Sequence, residues 1–348
     1  MKKALNAARL LLLAALTLST AQVRAQASAT GLLPTSGYAG LVVFGDSLAD
    51  SGNNALLVGT DPTQQITGDS YFASLPFATG RYSNGPVWVE HLAERLGLSA
   101  TASQLGGSNF AYGGAATGSD GTGTPIPGFP YSMRSQLGQY LATVPMAGTP
   151  APAQSLFVLS GGSVNVSAAM EAAALHPEQA FGILSASAQA YAFDIAAMVD
   201  GLQVAGAEHI LVLNVPNFGL TPRAQSYGPQ VAALGSLAAG LMNDALGLAL
   251  NTEPGVRVFD LYGSLNQVVA HGSDYGLSNV SQACGALINA CDPATALFYD
   301  GQHPTAYGHR LIADLVFSSA VPEPSSAVLL LLGGVCVLAR RRRQAEPA

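Results

Sequence analysis

Short apolar runs alternating with longer helix-like stretches constrain this chain more than any other feature. Leu41 to Phe44, Ser155 to Ser160, Glu208 to Asn214 and Val256 to Asp260 are rich in Val, Leu, Ile and Phe. Runs of this length and composition suit strands covered on both faces. Pro86 to Leu96, Gln179 to Ala205, Val231 to Asn251 and Thr305 to Phe317 fall between or after them and carry helical spacing. Parallel strands need crossovers of about a dozen residues or more, usually helical. The order therefore predicts an α/β fold, a parallel sheet of five strands between two layers of helices. The 293 residues from 28 to 320 suffice for one such domain.

Two boundaries in this pattern carry chemistry. The run Leu41-Val42-Val43-Phe44 stops abruptly at Gly45-Asp46-Ser47-Leu48, and open parallel sheets bind their ligands just past the carboxyl ends of strands. An ordinary strand-to-helix turn with Ser47 or Asp50 as N-cap is the other reading of this tetrapeptide. A serine hydroxyl is a weak nucleophile at neutral pH and needs a base, which in turn needs an orienting group. Asp300-Gly301-Gln302-His303-Pro304 contains both, with His303 lying 256 residues after Ser47. Three positions apart on a turn, Asp300 can reach one ring nitrogen of His303 and leave the other for Ser47. Pro304 suits the first turn of the helix that follows.

Phe44-Gly45-Asp46-Ser47-Leu48-Ala49-Asp50-Ser51-Gly52-Asn53-Asn54 resembles the first block of the GDSL or SGNH lipases and esterases, and Asp300-Gly301-Gln302-His303-Pro304-Thr305 resembles their last block. The resemblance implies a flavodoxin-like α/β/α sandwich and hydrolysis of carboxylic esters through an acyl-enzyme. Separately, the sequence carries no P-loop, dinucleotide fingerprint or His-Glu-x-x-His, and Cys284 and Cys291 have no nearby His pair, so no cofactor or metal is expected. It implies Ser47 as nucleophile, His303 as general base and Asp300 as its orienter. Asn109-Phe110-Ala111-Tyr112-Gly113-Gly114-Ala115 resembles the second block, whose glycine N–H supports the oxyanion beside the N–H of the nucleophile. That role falls on Gly114, with Gly113 as the adjacent alternative. The third block, Gly-x-Asn-Asp, is altered: Gly161-Gly162-Ser163-Val164-Asn165 puts Val164 at the asparagine position and Asn165 at the aspartate. A one-residue shift returns the donor role to Asn165; losing one such donor costs about 3–4 kcal/mol. Two other readings share these blocks: a deacetylase of acylated exopolysaccharide, and a catalytically impaired surface-binding module.

Both ends read as addresses rather than fold. Lys2, Lys3 and Arg9 precede the apolar run Leu10 to Leu18, and Ala25-Gln26-Ala27 fits a cleavage site, so residues 1–27 read as a secretory signal. At the other end, Val321-Pro322-Glu323-Pro324, an apolar run from Ala327 to Ala339 and Arg340 to Arg343 resemble the PEP-CTERM sorting signal of Gram-negative bacteria. That resemblance implies signal peptidase and an exosortase as partners during export, membrane contact only through the transient tail helix, and delivery to the cell surface, matrix or periplasm. A plain carboxyl-terminal membrane anchor is the alternative for residues 321–348.

Removing these tails from the 14 Lys plus Arg leaves six arginines and no lysine between 28 and 320, against 19 Asp plus Glu, a net charge of −13. Such a body lacks the basic footprint that nucleic acid or anionic lipid requires. Cys284 and Cys291 are seven apart, and in an oxidising compartment they are candidates for a disulfide closing the loop before Asp300.

Overall fold

The computed structural model describes residues 37–123, 126–143 and 152–320. The expected secretory segment and sorting tail lie outside the described residues. One parallel sheet is formed by β1 (Gly40–Gly45), β2 (Ser155–Ser160), β3 (His209–Leu213) and β4 (Val256–Phe259), in that spatial order.

The expected fifth strand is an irregular edge. Residues 108–112 run beside the free side of β1: Phe110 N–H donates to Val43 O at 2.8 Å, Val43 N–H to Ser108 O at 3.0 Å, and Tyr112 N–H to Gly45 O at 3.2 Å. The Asn109 side chain bonds Ala49 O, Ser51 Oγ and Ala111 N–H, which removes this stretch from a regular ladder and from the apolar-run pattern. With this edge counted, the spatial order in chain sequence is 2-1-3-4-5, the flavodoxin-like arrangement.

Period-two alternation divides the sheet's side chains between two cores. On one face, Phe44, Phe157, Leu159 and Val212 pack beneath α3 (Met133–Leu141), α4 (Ser163–Leu175), α5 (Ala180–Val204) and α7 (Pro229–Leu250). On the other, Val43, Val158 and Leu211 meet α2 (Trp88–Leu96), α8 (Leu261–Ala270) and α9 (Ala306–Ala320), with Trp88 buried among them. The remaining helices, α1 (Asn53–Val58) and α6 (Pro222–Ser226), are short and lie in loops at the carboxyl edge. The result is the three-layer sandwich.

A second, two-stranded sheet pairs β5 (Asn279–Ala283) with β6 (Ala296–Phe298), two residues before Asp300. Cys284 and Cys291 are disulfide-bonded, with Cα atoms 5.5 Å apart. The loop they close is pinned to the chain entering Asp300: Cys284 N–H donates to Phe298 O and Gly285 N–H to Tyr299 O.

Candidate active site

The first arm of the site is the turn after β1. At Gly45 the chain passes so close to β2 that a Cβ would lie 2.3 Å from Ser160 O, so glycine alone fits. Asp46 N–H then donates to Ser160 O, while the Asp46 carbonyl accepts from Ala49 and Asp50 and its Oδ1 from Leu48 N–H. Ser47 stands at the apex of this turn. Asp50, fully buried, gathers four backbone N–H groups from Gly52, Asn53, Asn54 and Gly113. It thereby ties the first block to the 109–115 block.

The second arm comes from the loop between β6 and α9. Asp300 is fully buried, and its Oδ1 accepts the N–H groups of Gln302 and His303, holding the turn closed. Its Oδ2 accepts from Ala73 N–H at 2.9 Å and lies 2.8 Å from His303 Nδ1. His303 Nε2 is 2.9 Å from Ser47 Oγ. A carboxylate that already takes three N–H donors requires the proton on Nδ1, so Nε2 is left to accept from the serine hydroxyl. The arrangement is a hydroxyl, an imidazole and a carboxylate in line, which can move a proton off the oxygen as it attacks an electrophile.

Two backbone N–H groups beside it, those of Ser47 and Gly114, have no hydrogen-bond partner among the described residues. Gly114 adopts φ 83° and is exposed, whereas the Gly113 N–H is taken by Asp50. The structure therefore separates the two glycines. Asn165 does not join them: its Oδ1 accepts from Thr117 N–H at 3.2 Å and its Nδ2 donates to Thr117 Oγ1 at 2.9 Å. Its carboxamide is turned onto Thr117, and no hydrogen bond links it to Ser47 or His303.

Burial sets the charges around the serine. It pushes the Asp46 carboxyl up to about 6, offset in part by the Leu48 N–H and by His303, and leaves Asp46 Oδ2 without a partner among the described residues. Burial also raises Asp50 to about 6 against its four N–H donors. His309 on α9 is buried and pushed down to about 3 by desolvation; its Nδ1 accepts from Trp88 N–H at 3.2 Å. It is a neutral helix-side hydrogen bonder.

Several supporting groups have no signature in the sequence. Gln136 clamps Gly45, Ala73 supplies a donor to Asp300, and the Tyr82 ring lies 5.3 Å from the His303 ring. Ala73 and Tyr82 both come from the long polar stretch after α1, which packs against the disulfide loop through Ile66, Ala283 and Ala286.

A family model described as GDSL-like Lipase/Acylhydrolase matches residues 41–316, a span that starts on β1 and ends in α9. The chain belongs to this family. Among curated relatives, it is 29% identical over 322 residues to esterase EstA of Pseudomonas aeruginosa, covering 81% of this chain and 46% of that protein. It is 28% identical over 334 residues to a GDSL esterase/lipase of Arabidopsis thaliana, covering 81% of this chain and 91% of that one. An uncharacterized protein of the trpE-trpG intergenic region of Pseudomonas putida is 29% identical over 321 residues, 81% of this chain and 48% of its own. The chain thus spans about half the length of the Pseudomonas relatives and nearly all of the plant one. Within this GDSL chain, the first, second and last blocks meet at one point, while the altered third block turns its asparagine elsewhere.

Proposed function

We propose that this GDSL protein is an exported serine esterase or lipase that hydrolyses carboxylic esters through an acyl-enzyme. The observation that carries the reading is the 2.9 Å contact between Ser47 Oγ and His303 Nε2, backed by Asp300 at 2.8 Å. Its family membership and the esterase and lipase names of its relatives support the same class of reaction.

Ser47 Oγ attacks the ester carbonyl carbon as His303 Nε2 takes its proton, and Asp300 stabilises the imidazolium. Negative charge collects on the carbonyl oxygen, which receives N–H bonds from Ser47 and Gly114. His303 then protonates the departing alcohol oxygen, and the C–O bond breaks to leave the acyl group on Ser47. Water, deprotonated by His303, attacks the same carbon; collapse returns the proton to Ser47 Oγ and releases the carboxylic acid. No residue outside this set is required for proton transfer.

The export part of the proposal rests on the amino-terminal charge and hydropathy pattern and on the Pro-Glu-Pro, apolar and arginine tail. It predicts passage through signal peptidase and an exosortase and a destination outside the inner membrane. Turnover of p-nitrophenyl butyrate by the full chain tests the activity. Wild type releases p-nitrophenol, and Ser47→Ala, with an unchanged circular dichroism spectrum, releases it at least a thousandfold more slowly, on the order expected for loss of a serine nucleophile. Equal rates in the two proteins would end the proposal.

A further inference from the structure

Residues 28–320 hold six arginines and no lysine, and one of those arginines stands beside the serine site without a counter-charge. Arg81, Arg95 and Arg134 pair with Glu90, Asp314 and Asp194. Arg223, the second residue of α6, has no carboxylate partner among the described residues. Its main-chain N–H donates to Gly301 O at 2.7 Å, and its Nη1 donates to Gln302 Oε1 at 3.4 Å. Its guanidinium lies over the Phe72 ring, 3.9 Å from the ring centre, and Phe72 is itself exposed, so the stack borders solvent.

The backbone fastens this corner to the turn that carries His303. Gly301 N–H donates to Tyr71 O at 2.6 Å, and Ala73 N–H donates to Asp300 Oδ2, so the chain on both sides of Phe72 is tied to that turn. A Cβ on Gly301 would collide with Tyr71 O and press on Arg223 Cβ, so the turn is wedged between the two segments. Arginine has donors and no acceptor, and it therefore fixes the Gln302 carboxamide with Oε1 toward Arg223. Gln302 Nε2 is left toward the imidazole, 3.5 Å from His303 Nε2. Across that one amide, the guanidinium lies within about 9 Å of the imidazole nitrogen.

We infer that Arg223 reads a negative charge on the alcohol part of the ester, and that the preferred substrates are esters of carboxylate-bearing alcohols. The inference rests on the serine-esterase reading of the preceding subsection. His303 Nε2 hands its proton to the departing alcohol oxygen, so that oxygen must lie against this nitrogen. Gln302 Nε2 borders the same spot. Atoms that continue from the alcohol oxygen therefore pass Gln302 and meet Arg223 next, while the carbonyl oxygen is taken by the Ser47 and Gly114 N–H groups. Stacking on Phe72 occupies a face of the guanidinium and leaves its edge, where the N–H donors lie, for a carboxylate. A neutral alcohol gains nothing from that edge, and a cationic one is repelled by it.

Three acetate esters of similar shape test this on the full chain. 3-Acetoxybenzoate carries a carboxylate on the alcohol part, 3-acetoxybenzamide is neutral, and 3-acetoxyphenyltrimethylammonium is cationic. The kcat/KM ratio of the benzoate to the benzamide should fall at least about tenfold in Arg223→Gln, the scale of one charge-assisted hydrogen bond, and Arg223→Lys should restore part of it. Comparing ratios between wild type and variant cancels the intrinsic reactivities of the esters. Arg223→Glu should raise the ratio of the cationic to the neutral ester above that of wild type, a gain that misfolding cannot produce. An anionic-to-neutral ratio unchanged in Arg223→Gln would overturn the inference and leave the esterase reading intact. So would an effect confined to mono-p-nitrophenyl succinate against p-nitrophenyl butyrate, a pair in which the charge sits on the acid. Absence of p-nitrophenyl butyrate turnover in wild type would overturn the esterase reading and this inference with it.

Discussion

Gln136 and Gly45, 91 positions apart, exchange a reciprocal pair of hydrogen bonds. Gly45 N–H donates to Gln136 Oε1 at 2.8 Å, and Gln136 Nε2 donates back to Gly45 O at 2.9 Å. Gln136 is fully buried on α3, and Gly45 is the last residue of β1, two before Ser47. One helix on the far face of the sheet thus fixes the height at which the serine turn begins.

Replacing Gln136 by Leu keeps the volume and strands the buried Gly45 N–H; the Gly45 carbonyl still accepts from Tyr112. One orphaned donor costs about 1–3 kcal/mol. Urea unfolding should show that loss, and kcat should fall about tenfold as the turn shifts, an effect of misplacement by a fraction of an ångström. Wild-type stability and kcat in this variant would show that the clamp does not position Ser47.

Gly113 and Tyr82 form a second such device. A Cβ on Gly113 would lie 2.1 Å from Tyr82 Cε2, and the same ring lies 5.3 Å from His303. Gly113→Ala should push the ring toward the imidazole and lower kcat at least tenfold. Tyr82→Leu should cost less alone and should relieve much of the Gly113→Ala defect in the double variant. Coupling of this kind is read from a double-mutant cycle, and strictly additive losses would contradict the contact.

Asn165 gives a prediction of opposite sense. Its carboxamide is committed to Thr117, so Asn165→Ala should cost about 1 kcal/mol of stability, the worth of a hydrogen bond. Esterase kcat should change less than about threefold, whereas removing an oxyanion donor costs about a hundredfold or more. A hundredfold loss with normal folding would restore the donor role to this residue.

How much of this was legible in sequence depends on whether the chemistry is local. Ser47 lies on a turn bounded by an apolar run, and Asp300 and His303 lie on one turn together, so each arm declares itself within five residues. Helices α5, α7 and α9 were legible to within a few residues because their apolar spacing is sustained. Helix α8 was not: Leu261-Tyr262-Gly263-Ser264 follows β4 at once, with Asp260 accepting from Gly263 N–H as the cap. The irregular edge at 108–112 was hidden because its central residue is an asparagine satisfied by backbone. Gln136 bonds only main chain, which any residue provides, so no pairing pattern marks it. The hydrogen bonds of Asn165 to Thr117 were not legible, because the spacing of a motif says nothing of where a side chain turns.

Asp46 makes stability depend on pH in an uncommon direction. Its folded value of about 6 exceeds the ordinary 3.8, so the native state binds its proton more readily than the unfolded chain does. The native state is therefore favoured by this group at low pH, and that advantage is lost as pH rises from about 4 through about 6. The shift corresponds to about 3 kcal/mol, and Asp50 acts with the same sign. Asp46→Asn should flatten the fall in melting temperature between pH 4.5 and pH 7, on the order of half the slope if the two carboxyls contribute alike. An unchanged slope would mean that Asp46 is charged at no such cost.

The proposed ester hydrolysis depends on one hydroxyl, that of Ser47, being the group that His303 activates. A fluorophosphonate reacts with such an oxygen and loses fluoride to leave a stable phosphonyl ester, so the site of attack can be read by peptide mass spectrometry. The full chain should acquire one adduct, on Ser47, in step with loss of ester turnover, and His303→Ala should slow labelling by at least about a hundredfold, the scale of general-base assistance. An adduct on another residue, or turnover that persists after Ser47 is fully labelled, would contradict the account.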